Sequence, residues 1–267
     1  FNAQSYHDIR TFVTSSAGDC GDGSATGNNP PTAAAGADLT IPRGAAFRLD
    51  GSGADADPDT ELTYCWETRD SGVFRNLETP DDGSVPLFRS WPPTSTSEWT
   101  FPRFIESLDH SEYFAEQVPQ KACTMNFRLT VRDNQGGVGF DQRVVTVTSG
   151  KFEVNQPTWT FLDTKGIANS VHVHWDHVAI QALGYDAVDI YLSIDGGETW
   201  PYMPATGITE NGFPDVPLPA VTTSKAKVKV QPQGAPFFAV GPTLFQITDG
   251  EASLLPYTKC DSGQVGD

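Results

Sequence analysis

The chain has 267 residues, room for one large domain or two small ones with real cores. Its 34 acidic against 17 basic residues, a net charge of −17, exclude the Lys/Arg-rich surface that nucleic acid requires and disfavour an anionic membrane. With 25 Gly, 20 Pro, two Met and no long apolar run, the composition predicts a β-rich chain without a membrane-spanning helix.

The chain opens on Phe1, and F-N-A-Q-S-Y-H-D-I-R-T-F-V lacks the basic start and apolar core of a signal peptide, so it reads as a piece of something longer. Tyr6 to Val13 predicts a turn or two of helix with Tyr6, Ile9, Phe12 and Val13 on one side, short enough to need a surface to pack on. From Ser15 to Ala37 the run is Gly, Ser, Ala, Asn, Asp and Pro without period, which predicts a tether. Short apolar alternations follow at 39–41, 45–49, 62–67, 125–132 and 139–148, and strands at such intervals without intervening helices predict an antiparallel sandwich. Between Thr68 and Lys121 lies an insertion whose Pro-aromatic clusters, Trp91-Pro92-Pro93 and Trp99-Thr100-Phe101-Pro102, are expected to pack on the sandwich, with a short helix over 104–114. The pattern restarts near Gly150, with strands expected at 151–154, 171–175, 187–194, 225–231 and 244–248. The predicted fold is all-β: residues 1–37 a short helix and tether, 38–149 one sandwich, and 150–267 a second, immunoglobulin-like sandwich with a C-terminal tail.

Three stretches invite chemistry. H-V-H-W-D-H, His172 to His177, matches the H-x-H-x-D-H zinc signature of metallo-β-lactamase-fold hydrolases, but none of the five His follows His177 to complete such a site. The same run reads as a strand with Val171, Val173 and Trp175 on one face and His172 and His174 on the other, leaving a metal-dependent hydrolase built on His172, His174 and Asp176 as the lesser alternative. D-A-D-P-D places Asp55, Asp57 and Asp59 in one turn, where hard oxygen ligands suit Ca²⁺, with Asp133 of R-D-N-Q-G-G as a candidate from a neighbouring loop. S-I-D-G-G-E-T-W fits the single Asp-box pattern, a structural hairpin turn in which Asp195 binds loop amides beside Ser193, Gly197 takes positive φ and Trp200 packs underneath. Trp91, Trp99, Trp159, Trp175 and Trp200 could build a carbohydrate platform, although Trp in a sandwich is more often core. The well-separated Cys20, Cys65, Cys123 and Cys260 favour disulfides and an oxidising compartment over zinc, with three pairings open.

The run from N-P-P-T-A-A-A-G-A-D-L-T-I-P-R to T-Y-C-W-E, then P-L-F-R-S-W-P-P-T, T-F-P-R and T-M-N-F-R-L-T-V-R-D-N, resembles the region downstream of the catalytic domain in secreted bacterial reprolysin-like zinc metallopeptidases. The opening segment is similar to the last helix of that catalytic domain, and V-D-I-Y-L-S-I-D-G-G-E-T-W with K-A-K-V-K-V resembles the immunoglobulin-like module that follows. D-A-D-P-D-T-E-L-T-Y-C-W-E is also similar to PKD and cadherin-like modules, whose acidic loops can bind Ca²⁺, although the W-D-F-G-D-G hallmark is missing. The resemblance implies a secreted or cell-surface accessory region without the peptidase's zinc helix, binding a protein or polysaccharide surface. A filament or surface-layer subunit that pairs with copies of itself is the alternative. It also implies disulfides joining Cys65 to Cys123 and Cys20 to Cys260.

Overall fold

Alternation in M-N-F-R-L-T-V-R puts Met125, Phe127, Leu129 and Val131 on one fully buried face, and this run is the central strand of the first sandwich. In the computed structural model, residues 3–15, 18, 26–58, 60–72, 80–84, 86–103, 116–155, 158–159, 170–209, 215–248 and 251–253 are described. One sheet has the order β2 (Leu39–Arg43), β8 (Val138–Lys151), β7 (Cys123–Arg132), β5 (Thr63–Thr68). β2 runs parallel to β8 and the other pairs are antiparallel. Facing it, β3 (Ala46–Leu49) pairs with β6 (Trp99–Phe101), so the second Pro-aromatic cluster of the insertion supplies a strand of the sandwich itself.

Between the sheets, Phe47 of β3 meets Phe127 of β7 edge-on at 5.7 Å, with Phe88 and Phe101 packed around them. Trp66 is buried on β5, its Nε1 donating to the Ser97 carbonyl at 2.9 Å. In antibody domains an inter-sheet disulfide lies beside such a tryptophan; here an aromatic pair spans the sheets. Within the stretch read as a tether, β1 (Thr32–Ala34) pairs antiparallel with β4 (Ser52–Ala54). The helix α1 (Ala3–Val13) rests on the outer face of the first sheet, where Arg10 and the buried Arg128 both lie over the Phe140 ring. Tyr6 is half-buried there, whereas Ile9, Phe12 and Val13 are exposed, so the apolar side read from the sequence is divided. The helix expected over 104–114 falls outside the described residues.

The second sandwich sets β9 (Thr158–Trp159), β10 (Ser170–His172) and β13 (Asp215–Pro217), with β10 central, against a larger sheet. That sheet has the order β12 (Tyr202–Ile208), β11 (Val188–Ser193), β14 (Thr223–Pro232), β15 (Phe237–Val240). The first half of β14 instead pairs with β16 (Phe245–Thr248), which pairs onward with β17 (Glu251–Ser253). The hand-over falls at Gly241, whose N–H donates to the Val228 carbonyl at 2.7 Å.

The larger sheet does not stop at residue 150. β15 pairs on its other side with β3 in the register Phe237↔Phe47 and Phe238↔Ala46, so strands run unbroken from β12 to β6. Arg48 N–H donates to the Pro236 carbonyl at 2.7 Å and Phe152 N–H to the Arg43 carbonyl at 2.9 Å. Phe237, Phe152 and Tyr185 pack edge-on in the joint. F-F-A-V carries no alternation because β15 is covered on both faces: Phe237, Phe238 and Ala239 are consecutive and all buried.

Candidate functional site

In H-V-H-W-D-H, Val171, Val173 and Trp175 are fully buried, and alternation turns His172 and His174 to the other side. His172 lies opposite Asp215 in β13, whereas His174 Nδ1 meets Asn155 Nδ2 at 2.5 Å. β10 ends at His172, Trp175 makes an isolated antiparallel bridge to Val154, and at Asp176, with φ −79° and ψ 100°, the chain enters α2 (His177–Gln181). That turn separates the third histidine from the first two: the His177 ring goes inward and is only 4% exposed. Among the described residues no three His, Cys, Asp or Glu side chains gather to hold a metal ion, so the signature present in sequence is not assembled in space.

A cavity of about 600 Å³ lies beside this turn, at the joint between the sandwiches. Ser149 and Gly150 at the end of β8 form one side, His174 to His177 another, and Ala182 and Leu183 after α2 a third. Gly150 permits the close approach of α2, since a Cβ there would stand 3.0 Å from the Ala179 Cβ. Among the described residues neither ring nitrogen of His177 has a hydrogen-bond partner, and neither does the buried Trp175 Nε1. The Asp176 side chain does not cap α2. Sequence reasoning weighed His177 only as part of a metal motif; the strand-to-helix switch that buries it has no local signal beyond Asp176, a residue type favoured before helices.

The carboxylates of the acidic loops accept hydrogen bonds from neighbouring N–H groups. Asp133, 2% exposed, accepts from Gln135 N at 2.7 Å, Gly137 N at 2.8 Å and Asn28 Nδ2 at 2.7 Å. Burial alone would raise its carboxyl, but the bonds from Asn28, Gln135 and Gly137 outweigh it and hold the group below the usual range. Asp57 accepts from Asn29 N and Nδ2, both at 2.7 Å, and Asp55 from Asp57 N at 2.8 Å. These carboxylates face N–H donors and fasten Asn28 and Asn29 to the sandwich; Asp59 lies outside the described residues. Asp55 Oδ2 and Asn28 Oδ1 are buried without a hydrogen-bond partner among the described residues, and no three His, Cys, Asp or Glu side chains of those residues gather in a metal-holding group.

In S-I-D-G-G-E-T-W, Ser193 Oγ donates to Asp195 Oδ1 at 2.6 Å and accepts from Gly197 N at 2.7 Å, while Asp195 accepts from the Thr199 N–H at 2.9 Å and its hydroxyl. Gly196 and Gly197 have φ of 86° and 99°, which a side chain would resist. Burial would raise the Asp195 carboxyl, but the Ser193 and Thr199 bonds prevail and hold it at about 2. Trp200 lies against the buried Lys229, whose ammonium is 4.5 Å from its ring and 5.1 Å from that of Tyr191. Of the other candidate platform residues, Trp99 and Trp175 are buried, Trp91 is held by Glu116 and the guanidinium of Arg89, and the Trp159 side chain lies outside the described residues.

The expected Cys65–Cys123 disulfide is absent, and both thiols are free. Cys65 sits opposite Thr130, seven residues along β7 from Cys123, which at the rise of a strand is about 23 Å, far beyond disulfide reach. Burial, with Glu67 adding to it, pushes the Cys65 thiol up to about 12, and it donates to the Trp91 carbonyl at 3.3 Å. Cys20 and Cys260 lie outside the described residues.

No family model and no curated protein matches the chain. Among solved structures it is similar to the crystal structure of Dscam1 isoform 4.44, N-terminal four Ig domains, at 12% identity over 86% of this chain and 48% of that one. The TM-score of 0.24 is too low to bear on fold or function. The immunoglobulin-like, all-β architecture rests on the strand order described above.

Proposed function

We propose that the chain is a non-catalytic extracellular accessory region of a secreted metallopeptidase-like protein, a stiff arm of two sandwiches that binds a protein or polysaccharide surface. The observation that carries this reading is the sheet running from β12 through β15 into β3 and β6. Tandem domains joined only by a linker move relative to one another by default, whereas strand pairing across the joint holds these two at one angle, as a presenting arm requires. Self-assembly by strand addition draws less support, since β1, the first strand among the described residues, is already paired with β4 of the same molecule.

The test is a depletion assay of the purified chain on insoluble polysaccharides and immobilised proteins, run beside peptidase and esterase assays with zinc added. Retention on a support without turnover is the expected outcome. Zinc-dependent turnover that disappears in His172→Ala would overturn the proposal.

A further inference from the structure

We propose that the cleft between α1 and the outer face of the first sheet binds a doubly charged oxyanion, sulfate or phosphate, with Arg10 as the group that grips it. In a chain with a net charge of −17, positive charge gathered at one place calls for a reason. Arg10 of α1 and Arg128 of β7 lie over the Phe140 ring at 5.9 and 4.2 Å, and with Tyr6, His7, Thr11 and Thr14 these residues line a cleft of about 290 Å³. Burial first, and the Arg69 guanidinium next, hold Arg128 below the usual arginine range, with Glu67 acting the other way. Arg10, Arg69 and Arg128 against Glu67 leave a surplus of two positive charges on this face.

The other acids nearby do not cancel it. Asp70 is held by Asn126 N at 2.9 Å and Nδ2 at 2.7 Å. Asp8 lies two positions from Arg10, so the helix turns it to another side, where it accepts from Gln4 Nε2 at 2.7 Å. Asp133, in the loop beyond the other flank of α1, is buried among its own N–H donors. Even the negative end of α1 is partly spent here, because the His7 and Arg10 carbonyls accept the Thr11 and Thr14 hydroxyls at 2.8 and 2.7 Å. Arg69 Nη1 is buried, so Arg69 contributes field and not contact. Contact falls to Arg10, which is exposed and which no carboxylate pairs among the described residues.

That surplus selects the ligand. It repels a metal ion, and a neutral hydroxyl ligand would leave it uncompensated. A carboxylate balances one charge of the two, whereas sulfate and phosphate balance both and present paired oxygens that a guanidinium fork takes bidentately. The cleft, near the lower limit of small-ligand sites, has room for one such group. The site does not rest on the binding role proposed above, since a catalytic chain could hold the anion equally well.

The experiment is an amide NMR titration of the full chain with sodium sulfate and sodium phosphate, at a constant ionic strength of about 0.15 M so that distant charges are screened alike throughout. Both anions should shift the amides of residues 6–14 and of Phe140 as one saturable site. Arg10→Gln should weaken binding at least about tenfold, the worth of a hydrogen bond to a charged group, with the melting temperature unchanged because Arg10 is exposed. Arg10→Lys should restore part of it, and Arg43→Gln, on β2 at the edge of the sheet, should change nothing. If Arg128→Gln does not fold, the Arg10 variants carry the test. No shift with either anion, shifts that R10Q leaves unaltered, or equal shifts with acetate would overturn the proposal. A sulfated methyl glucoside decides the source: affinity matching inorganic sulfate places the group on a saccharide, its exclusion restricts the site to the free ion, and either result upholds the oxyanion.

Discussion

Phe237 is the position at which one substitution can cut the shared sheet. Its ring is fully buried, edge-on to Tyr185 at 5.3 Å and to Phe152 at 6.0 Å, and its strand position faces Phe47 of the other sandwich. Truncating a buried Phe to Ala costs about 3–5 kcal/mol through lost transfer energy and the cavity left behind. In a chain of this length each kcal/mol moves the melting temperature by roughly 2–4 °C, so Phe237→Ala should melt about 10 °C lower. The position of the loss matters as much as its size. Because it falls on the strand that joins the sandwiches, the single transition expected of the unaltered chain should separate into two. Calorimetry and guanidinium unfolding followed by tryptophan fluorescence read this directly. Leu192→Ala serves as the control: it is fully buried on β11, separated from β15 by β14, and should cost about 2–5 kcal/mol while keeping one transition. Two separated transitions in the unaltered chain, or one transition in F237A, would refute the claim that β3–β15 pairing couples the sandwiches.

Asp195→Asn tests the turn. A carboxyl held near 2 against an ordinary 3.8 corresponds to at most about 2.4 kcal/mol, cut to roughly 1 kcal/mol by solvent screening at a partly exposed site. The folded value is depressed, so this stability is fully present above about pH 4 and lost as pH falls toward 2; the gap between D195N and the unaltered protein should therefore close over that window, and a gap independent of pH would refute the assignment. Asp57→Ala removes both bonds to Asn29 and should increase protease nicking around 26–31 equally with calcium or chelator; protection that depends on calcium would restore the cation reading. Cys65, buried with its thiol near 12, should resist alkylation in the folded protein and react on unfolding, and mass mapping of a Cys65–Cys123 bridge would contradict the strand register.

Period-2 alternation carries its own burial information, which is why β7, β8, β11 and β14 were legible: one face of each strand is apolar because one face is core. β15 was not, because a strand covered on both sides reads as a short apolar run without direction. β12 was hidden by Pro204 and Gly207, tolerated because it lies at the sheet edge. The acidic loops were visible as composition, yet whether D-A-D-P-D faces a cation or backbone N–H groups depends on where Asn28 and Asn29 come to rest, and no local rule places them. The same holds for His177, which shares six consecutive residues with His172 and His174 but is carried to another surface by the turn at Asp176.

Alone, then, the sequence determined the β class, the strands that alternate and the G-G turn beside Asp195, since these depend on periodicity and on backbone conformations that neighbouring residues dictate. Tertiary structure decided the joint and the cavity. Pairing of β3 with β15 brings together residues about 190 positions apart, and burial of His177 follows from how closely α2 approaches Gly150. Both are contacts between distant segments, for which a linear pattern has no period to show.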